Sequence, residues 1–260
     1  MKEIGSAKEW TPMLRKLSMI FAAAVLLPLA VHSQTVDEVI AKNIQAHGGM
    51  EKLKAIQTLR YSGKMDMGSI QAAVMEEVKR PGKVREEFIV QRMAMVQAYD
   101  SGSGWQINPF GGRRDPEKLS DDDSKSLQID ADIDGPLVDY KEKGHTAELV
   151  GHDSVEGTDC YKIKLTLKNG DVRYYYLDTD SYLELKVESQ TTVRGTIRET
   201  ETYYGDYEEV NGVYYPFAYE IGQKGDTFRV KYTIDKIEQN VSLDDSLFTE
   251  PAVKAKPAGQ

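Results

Sequence analysis

The chain has a single cysteine, Cys160, and only four histidines in 260 residues. One thiol cannot close an internal disulfide, so the fold must be held by packing and hydrogen bonding. Cys160 reads as a small buried or edge residue flanking a strand. Three histidines, His47, His145 and His152, lie beyond residue 33, and none stands at HxH or HxxxH spacing, which leaves zinc and copper without a ligand set. No GxSxG elbow occurs, Cys160 has no partnering histidine signal, and no two carboxylates stand out as an acid and base pair. Enzymatic chemistry and cofactors are therefore not expected. An apolar run of about 20 residues, the length a membrane helix needs, is also missing. The run from Leu17 to Val31 has 15.

That short run follows Arg15 and Lys16 and ends in Val31-His32-Ser33, the pattern of a secretory signal peptide over residues 1–33. Export to the periplasm is the corresponding expectation. Of 33 basic and 42 acidic residues, four and two fall in this leader, leaving 29 against 40 and a formal charge of -11. Such acidity disfavours nucleic acid and anionic membrane surfaces as partners. Residues 252–260, with three Ala, two Lys and one Pro, read as a disordered tail, so one domain is expected over 34–251.

Within that domain, Thr35-Val36-Asp37-Glu38 is a capping box that starts a helix with the apolar stripe Val36, Val39, Ile40 and Ile44; His47-Gly48-Gly49 stops it. A second helical turn is expected from Met50 to Ile56. Short strands then dominate, near 59–67, 70–80, 83–90, 92–99, 104–108, 146–151, 159–168, 171–177, 182–191, 196–204, 213–221 and 227–238. The fold class is mainly β: a large antiparallel sheet that curls towards a barrel. Residues 161–189 form a meander around Asn169-Gly170, with Ile163, Leu165, Leu167, Leu183, Leu185 and Val187 expected on one apolar face. Residues 115–140 lose the alternation and read as one or two short helices inserted mid-sheet.

Few patterns remain that carry binding chemistry. Asp130-Ala131-Asp132-Ile133-Asp134-Gly135 matches the opening of a calcium loop, but Lys141 stands where the bidentate acid belongs, so a solvated acidic helix end is favoured. Met65, Met67, Met75, Met93 and Met95 cluster in the first half, and Tyr174-Tyr175-Tyr176 puts aromatic rings on both faces of one strand. An ordinary core and a ligand cavity are both compatible with these residues.

Two segments favour the cavity. Lys79-Arg80-Pro81 ends one strand before the next, and Asp100-Ser-Gly-Ser-Gly-Trp105-Gln-Ile-Asn108-Pro109-Phe110 follows about twenty residues on. In order and spacing this pairing resembles the K-R-P and D-G-x-x-W-x-x-N-P-F segments of the periplasmic outer-membrane lipoprotein carriers of the LolA type; Phe248-Thr-Glu-Pro251 is similar to the family's F-x-x-P ending. The resemblance implies an incomplete antiparallel β barrel with a helical lid over an apolar cavity for lipid or lipoprotein acyl chains, a role in lipoprotein sorting, and a monomer working between inner-membrane donor and outer-membrane acceptor proteins. It also implies that Arg80 holds the lid. The cavity is then expected to be lined by Met75, Phe88, Met93, Met95, Trp105, Ile107, Tyr175 and Phe217, with Leu127, Ile133 and Leu137 on the lid. A cell-envelope sensor or assembly module that binds a protein partner with the same half-barrel is the alternative.

Overall fold

The computed structural model describes residues 34–252. The expected signal peptide and nearly all of the expected tail lie outside the described residues. One antiparallel sheet of 13 strands holds the molecule together: β1 (Thr58–Asp66), β2 (Gln71–Lys79), β3 (Lys83–Val90), β4 (Met93–Asp100), β5 (Ser103–Asn108), β6 (Arg113–Lys118), β7 (Thr146–Val155), β8 (Thr158–Thr166), β9 (Val172–Asp178), β10 (Glu184–Val193), β11 (Thr196–Val210), β12 (Val213–Gln223) and β13 (Arg229–Gln239). Their order in space is β6-β5-β4-β3-β2-β1-β13-β12-β11-β10-β9-β8-β7. The sheet is thus two meanders joined where β1 pairs with β13, and its free edges are β6 and β7. These edges do not pair, so the barrel stays open. The chain passes from one edge to the other through residues 119–145, which hold helix α3 (Lys125–Asp130).

Helix α1 (Val36–Ala46) begins with the expected capping box: the Glu38 amide donates to Thr35 Oγ1 at 3.2 Å, and the Thr35 amide donates to Glu38 Oε2 at 2.8 Å. Its Val39 and Ile40 are buried against Ile163, Leu165, Tyr175, Leu177 and Val187 of the second meander, with Leu137 and Tyr140 of the connecting segment. This is what the inner face of the 161–189 meander covers. Helix α2 (Met50–Ala55) brings Leu53 to a second core built from Leu59, Val78, Val84, Leu127, Val213 and Ile237. At roughly 1.5–3 kcal/mol per fully buried aliphatic side chain, these two cores are the main source of stability. Gly48, at φ +119°, lets α1 end hard against the β11–β12 turn, where an added Cβ would meet the Gly212 carbonyl at 2.3 Å.

The outer face is a lattice of charges. Lys186 bridges Glu188 and Glu201, Arg229 pairs with Glu201, and Lys224 pairs with Glu188, so two buried carboxylates are fully compensated. The segment after β13 crosses this face: Lys79 Nζ donates to the Leu243 carbonyl at 2.7 Å, and Trp105 Nε1 donates to the Phe248 carbonyl at 2.7 Å.

Two expectations need correction. Residues 113–118 form β6 rather than entering the helical insertion; the run Arg-Arg-Asp-Pro-Glu-Lys lacks apolar alternation, and Pro116 is tolerated because β6 pairs on one side only. Leu185 does not share the inner face with Val187. The pairing jumps from Glu184↔Leu177 to Lys186↔Tyr176, leaving Leu185 in a bulge that packs with Val155, Cys160 and Tyr176 on the other side. The same bulge turns Glu184 inward.

Candidate functional site

Between the inner face of the sheet and the edge-to-edge segment lie two adjoining cavities of about 700 and about 360 Å³. Both touch Tyr61, Glu76, Asp130, Arg173 and Tyr204, so they are consecutive compartments rather than separate hollows. The larger is walled by β2–β3 on one side and β9–β13 on the other, with Ile129 and Asp130 of α3 overhead. Each volume is in the range of small-ligand sites, commonly about 300–1,000 Å³.

The roof is pinned at both ends. At one end Arg80 donates through Nε to the Ile56 carbonyl at 2.7 Å and through Nη2 to the Leu53 carbonyl at 3.3 Å, which are acceptors at the end of α2. Its fork also grips Asp134 in the roof, with Nη1 at 2.7 Å from Oδ2, and Lys54 reaches the same carboxylate at 2.8 Å. Burial alone would raise the Asp134 carboxyl, but Arg80 and Lys54 hold it below the usual range. At the other end Arg194, in the β10–β11 turn, binds Asp123 through Nη2 at 2.7 and 2.9 Å, and its amide donates to Asp122 at 3.0 Å. Asp132 is taken by Lys143 and Asp130 faces the cavity, so the three acids of the calcium-like stretch point to three different surroundings.

Of the residues expected to line the cavity, Phe88 does so and Met75 borders it from a strand whose inward positions are Val74, Glu76 and Val78. Tyr175, Ile133 and Leu137 line the smaller compartment. Met95 pairs with Phe88 across β3–β4, and Met93 sits exposed at the strand end. Trp105 and Ile107 belong to a separate cluster with Val96 and Ala98 beneath the C-terminal segment. Their strand phase, opposite to that of Tyr99 and Gly104, sets them on the outer face. Phe217 and Leu127 are in the core; Leu127 anchors α3 from below rather than facing the hollow.

The lining is not the apolar surface expected. Tyr61, Glu76, Glu86 and Gln97 stand in one cross-strand row over β1–β4, and the row continues through Gln106 to Glu117 at the edge. Gln97 donates to Gln106 at 3.2 Å and Gln106 to Glu117 at 2.8 Å, whereas neither Glu76 nor Glu86 makes a hydrogen bond or ion pair with a described residue. Enclosure by protein, then the charge of Asp130, pushes the Glu76 carboxyl up to about 8; the same causes push Glu86 well above the ordinary carboxylate range. Asp130, exposed to the cavity but ringed by protein, is raised to about 6 by that burial against the pull of Arg173. Opposite them, Tyr204, Tyr219 and Tyr232 form a row over β11–β13, with centroids 6.3 and 4.7 Å apart. The sequence carried a signal for this belt: Glu76 and Glu86 fall in the apolar phase of strands that otherwise turn Val74, Val78, Val84 and Phe88 inward.

At the far end of the smaller compartment, His47 places Nε2 at 2.7 Å from Glu184 Oε2 and Nδ1 at 2.8 Å from the Tyr214 carbonyl. Both neighbours are acceptors, so the imidazolium satisfies both. Burial opposes the charge, but Glu184 and then the carbonyl prevail and raise His47 to about 9. Cys160 is buried on the outer side, where burial pushes its thiol up and away from nucleophilic use.

A family model described as "Uncharacterized protein" matches residues 132–255. No curated protein matches the chain. Among solved structures, a DUF1329 family protein from Desulfovibrio piger is similar at 13% identity and TM-score 0.58, over 84% of this chain and 98% of that one. A LolA superfamily protein from Nitrosomonas europaea follows at 12% and 0.57, over 84% and 98%. An outer membrane lipoprotein-sorting protein domain from Vibrio parahaemolyticus gives 11% and 0.51, over 76% and 93%. The open 13-stranded half-barrel with a segment bridging its edges is therefore the fold of the LolA-type lipoprotein-sorting proteins.

Proposed function

We propose that this protein is a non-enzymatic periplasmic carrier that holds lipid or lipoprotein acyl chains in the hollow of its half-barrel, as part of lipoprotein sorting to the outer membrane. One observation carries the reading: a cavity of about 700 Å³ lies under a roof pinned by polar contacts at its two ends rather than sealed by a continuous core. Val74, Phe88, Ile129, Val187, Ile221 and Ile234 give an acyl chain apolar wall. Each methylene transferred there from water gains about 0.8 kcal/mol. Arg80 is the lid-holding residue in this scheme. Its guanidinium cannot discharge, so lifting the roof away from Asp134 must be compensated, and closure and satisfaction of Arg80 become one event.

Leu127, Ile133 and Leu137 tie the roof to the two cores, while the donor and acceptor would act on the roof's charged ends. The experiment is native mass spectrometry with lipid extraction on the full chain expressed with export and purified without detergent from a bacterial envelope. Co-purifying lipid or acylated peptide, released on denaturation, is the expected result. Protein that is consistently lipid-free and does not take up added lipid would refute the carrier reading.

A further inference from the structure

The belt inside the half-barrel has no use in holding a simple acyl chain. Glu76 and Glu86 occupy directly opposed positions on β2 and β3, a placement that brings Cβ atoms within about 4.5–5.5 Å and is destabilising for like charges. Both aim into the larger cavity without a partner, and Asp130 faces them from α3. Two guanidiniums line the same cavity, Arg173 of β9 and Arg198 of β11; Arg173 acts on Asp130 and on Tyr175, and neither forms an ion pair with Glu76 or Glu86. Three tyrosine rings face the same space from β11–β13, and Tyr219 and Tyr232 stack at 4.7 Å with an interplanar angle of 11°. Carboxylates on one wall and electron-rich ring faces on the other favour the same kind of guest, a positive charge with low hydration.

Resting on the acyl-chain reading of the cavity, we propose that the hollow selects amphiphiles with an organic ammonium headgroup, which sits between the Glu76–Glu86 pair and the Tyr204–Tyr219–Tyr232 wall while its chain follows the aliphatic lining. Without the guest, burial favours the protonated form of both carboxyls. A permanent cation displaces the protons, so binding strengthens as pH rises through the range in which Glu76 and its neighbours ionise. The other groups that face the pair leave this direction unchanged. Tyr61, Tyr219 and Tyr232 stay protonated to high pH, Arg173 stays charged, and at the mouth Lys125 and Asp122 are already paired.

The probes are dodecyltrimethylammonium, dodecyl maltoside of the same chain length, and tetramethylammonium as the headgroup alone, titrated calorimetrically into the full chain below micelle formation. We expect dodecyltrimethylammonium to bind about tenfold more tightly than dodecyl maltoside at pH 8.5. That preference shrinks at pH 5.5 and vanishes in E76Q/E86Q, whose maltoside affinity stays as in the parent and reports an intact cavity. Equal affinity of the two detergents at pH 8.5, or a preference that survives in E76Q/E86Q, overturns the headgroup site but leaves the acyl-chain reading in place. Tetramethylammonium binding as tightly as its dodecyl form overturns the amphiphile. Failure of all three to bind removes the acyl-chain reading and the headgroup site with it.

Discussion

Individual side chains in this molecule do two opposite things with charge. On the outer face Glu188 and Glu201 are buried and matched by lysine and arginine; Glu188 is pulled to about 2, with burial overruled by Lys186 and Lys224. On the inner face Glu76 is enclosed and unmatched. It ionises near 8 in the fold but near its ordinary 4.5 when unfolded, so as pH rises the unfolded chain loses its proton first and stability falls across that interval. Replacing Glu76 by Gln should therefore raise Tm by a few degrees at pH 8 and hardly at all at pH 4.5, measured by thermal denaturation at the two values. His47 behaves in the reverse sense. Its folded value of about 9 lies above the unfolded 6.5, so its contribution is complete below pH 6.5 and is lost as pH climbs through 9. The Glu184 carboxylate, held low despite burial by the charge of His47, loses its share only as pH falls through its folded value. His47→Gln should cost of order 2–3 kcal/mol at pH 6 and progressively less as pH rises from 6.5 towards 9, a trend that chemical denaturation at both ends would check.

Elements show which features can be read from a sequence. Strands β1 to β5 and β7 to β13, the α1 capping box and the Asn169-Gly170 turn announce themselves because their cues are local: alternation, a hydroxyl three residues before a carboxylate, a glycine free to take φ +89°. Strand β6 stays hidden because an edge strand needs no apolar phase. The inward turn of Glu184 stays hidden because a bulge resets the phase without any special residue, and the outward place of Trp105 because a motif gives spacing but not which face is covered. Gly48→Ala should destabilise α1 docking by at least about 1 kcal/mol, since the new methyl meets the Gly212 carbonyl and the backbone is in a region alanine avoids. Hydrogen exchange of the α1 amides would register it. Arg80→Leu frees Asp134 from its fork while leaving Lys54 on it. In the carrier scheme an apolar leucine needs no acceptors and lets the roof settle onto the aliphatic lining, so the variant should retain bound lipid and transfer it to acceptor vesicles several-fold more slowly; an unchanged transfer rate would remove Arg80 from the opening step.

For the whole molecule, the architecture sets the function. A sheet whose first and last strands pair at its centre leaves both free edges at the periphery, and the only chain joining those edges must cross the hollow between them. The roof is thus a consequence of topology: Leu119, Leu127 and Leu137 tie it to the two cores, and ion pairs at Asp134 and Asp123 fix its two ends. The hollow should then be the place where an acyl chain resides. Binding of a fluorescent fatty-acid analogue to the wild-type chain and to Val74→Trp, whose new ring would fill the larger cavity from β2, tests this most directly. Saturable binding by the wild type, lost in Val74→Trp at unchanged Tm, is the expected result; equal binding by both would contradict a chain held in the hollow.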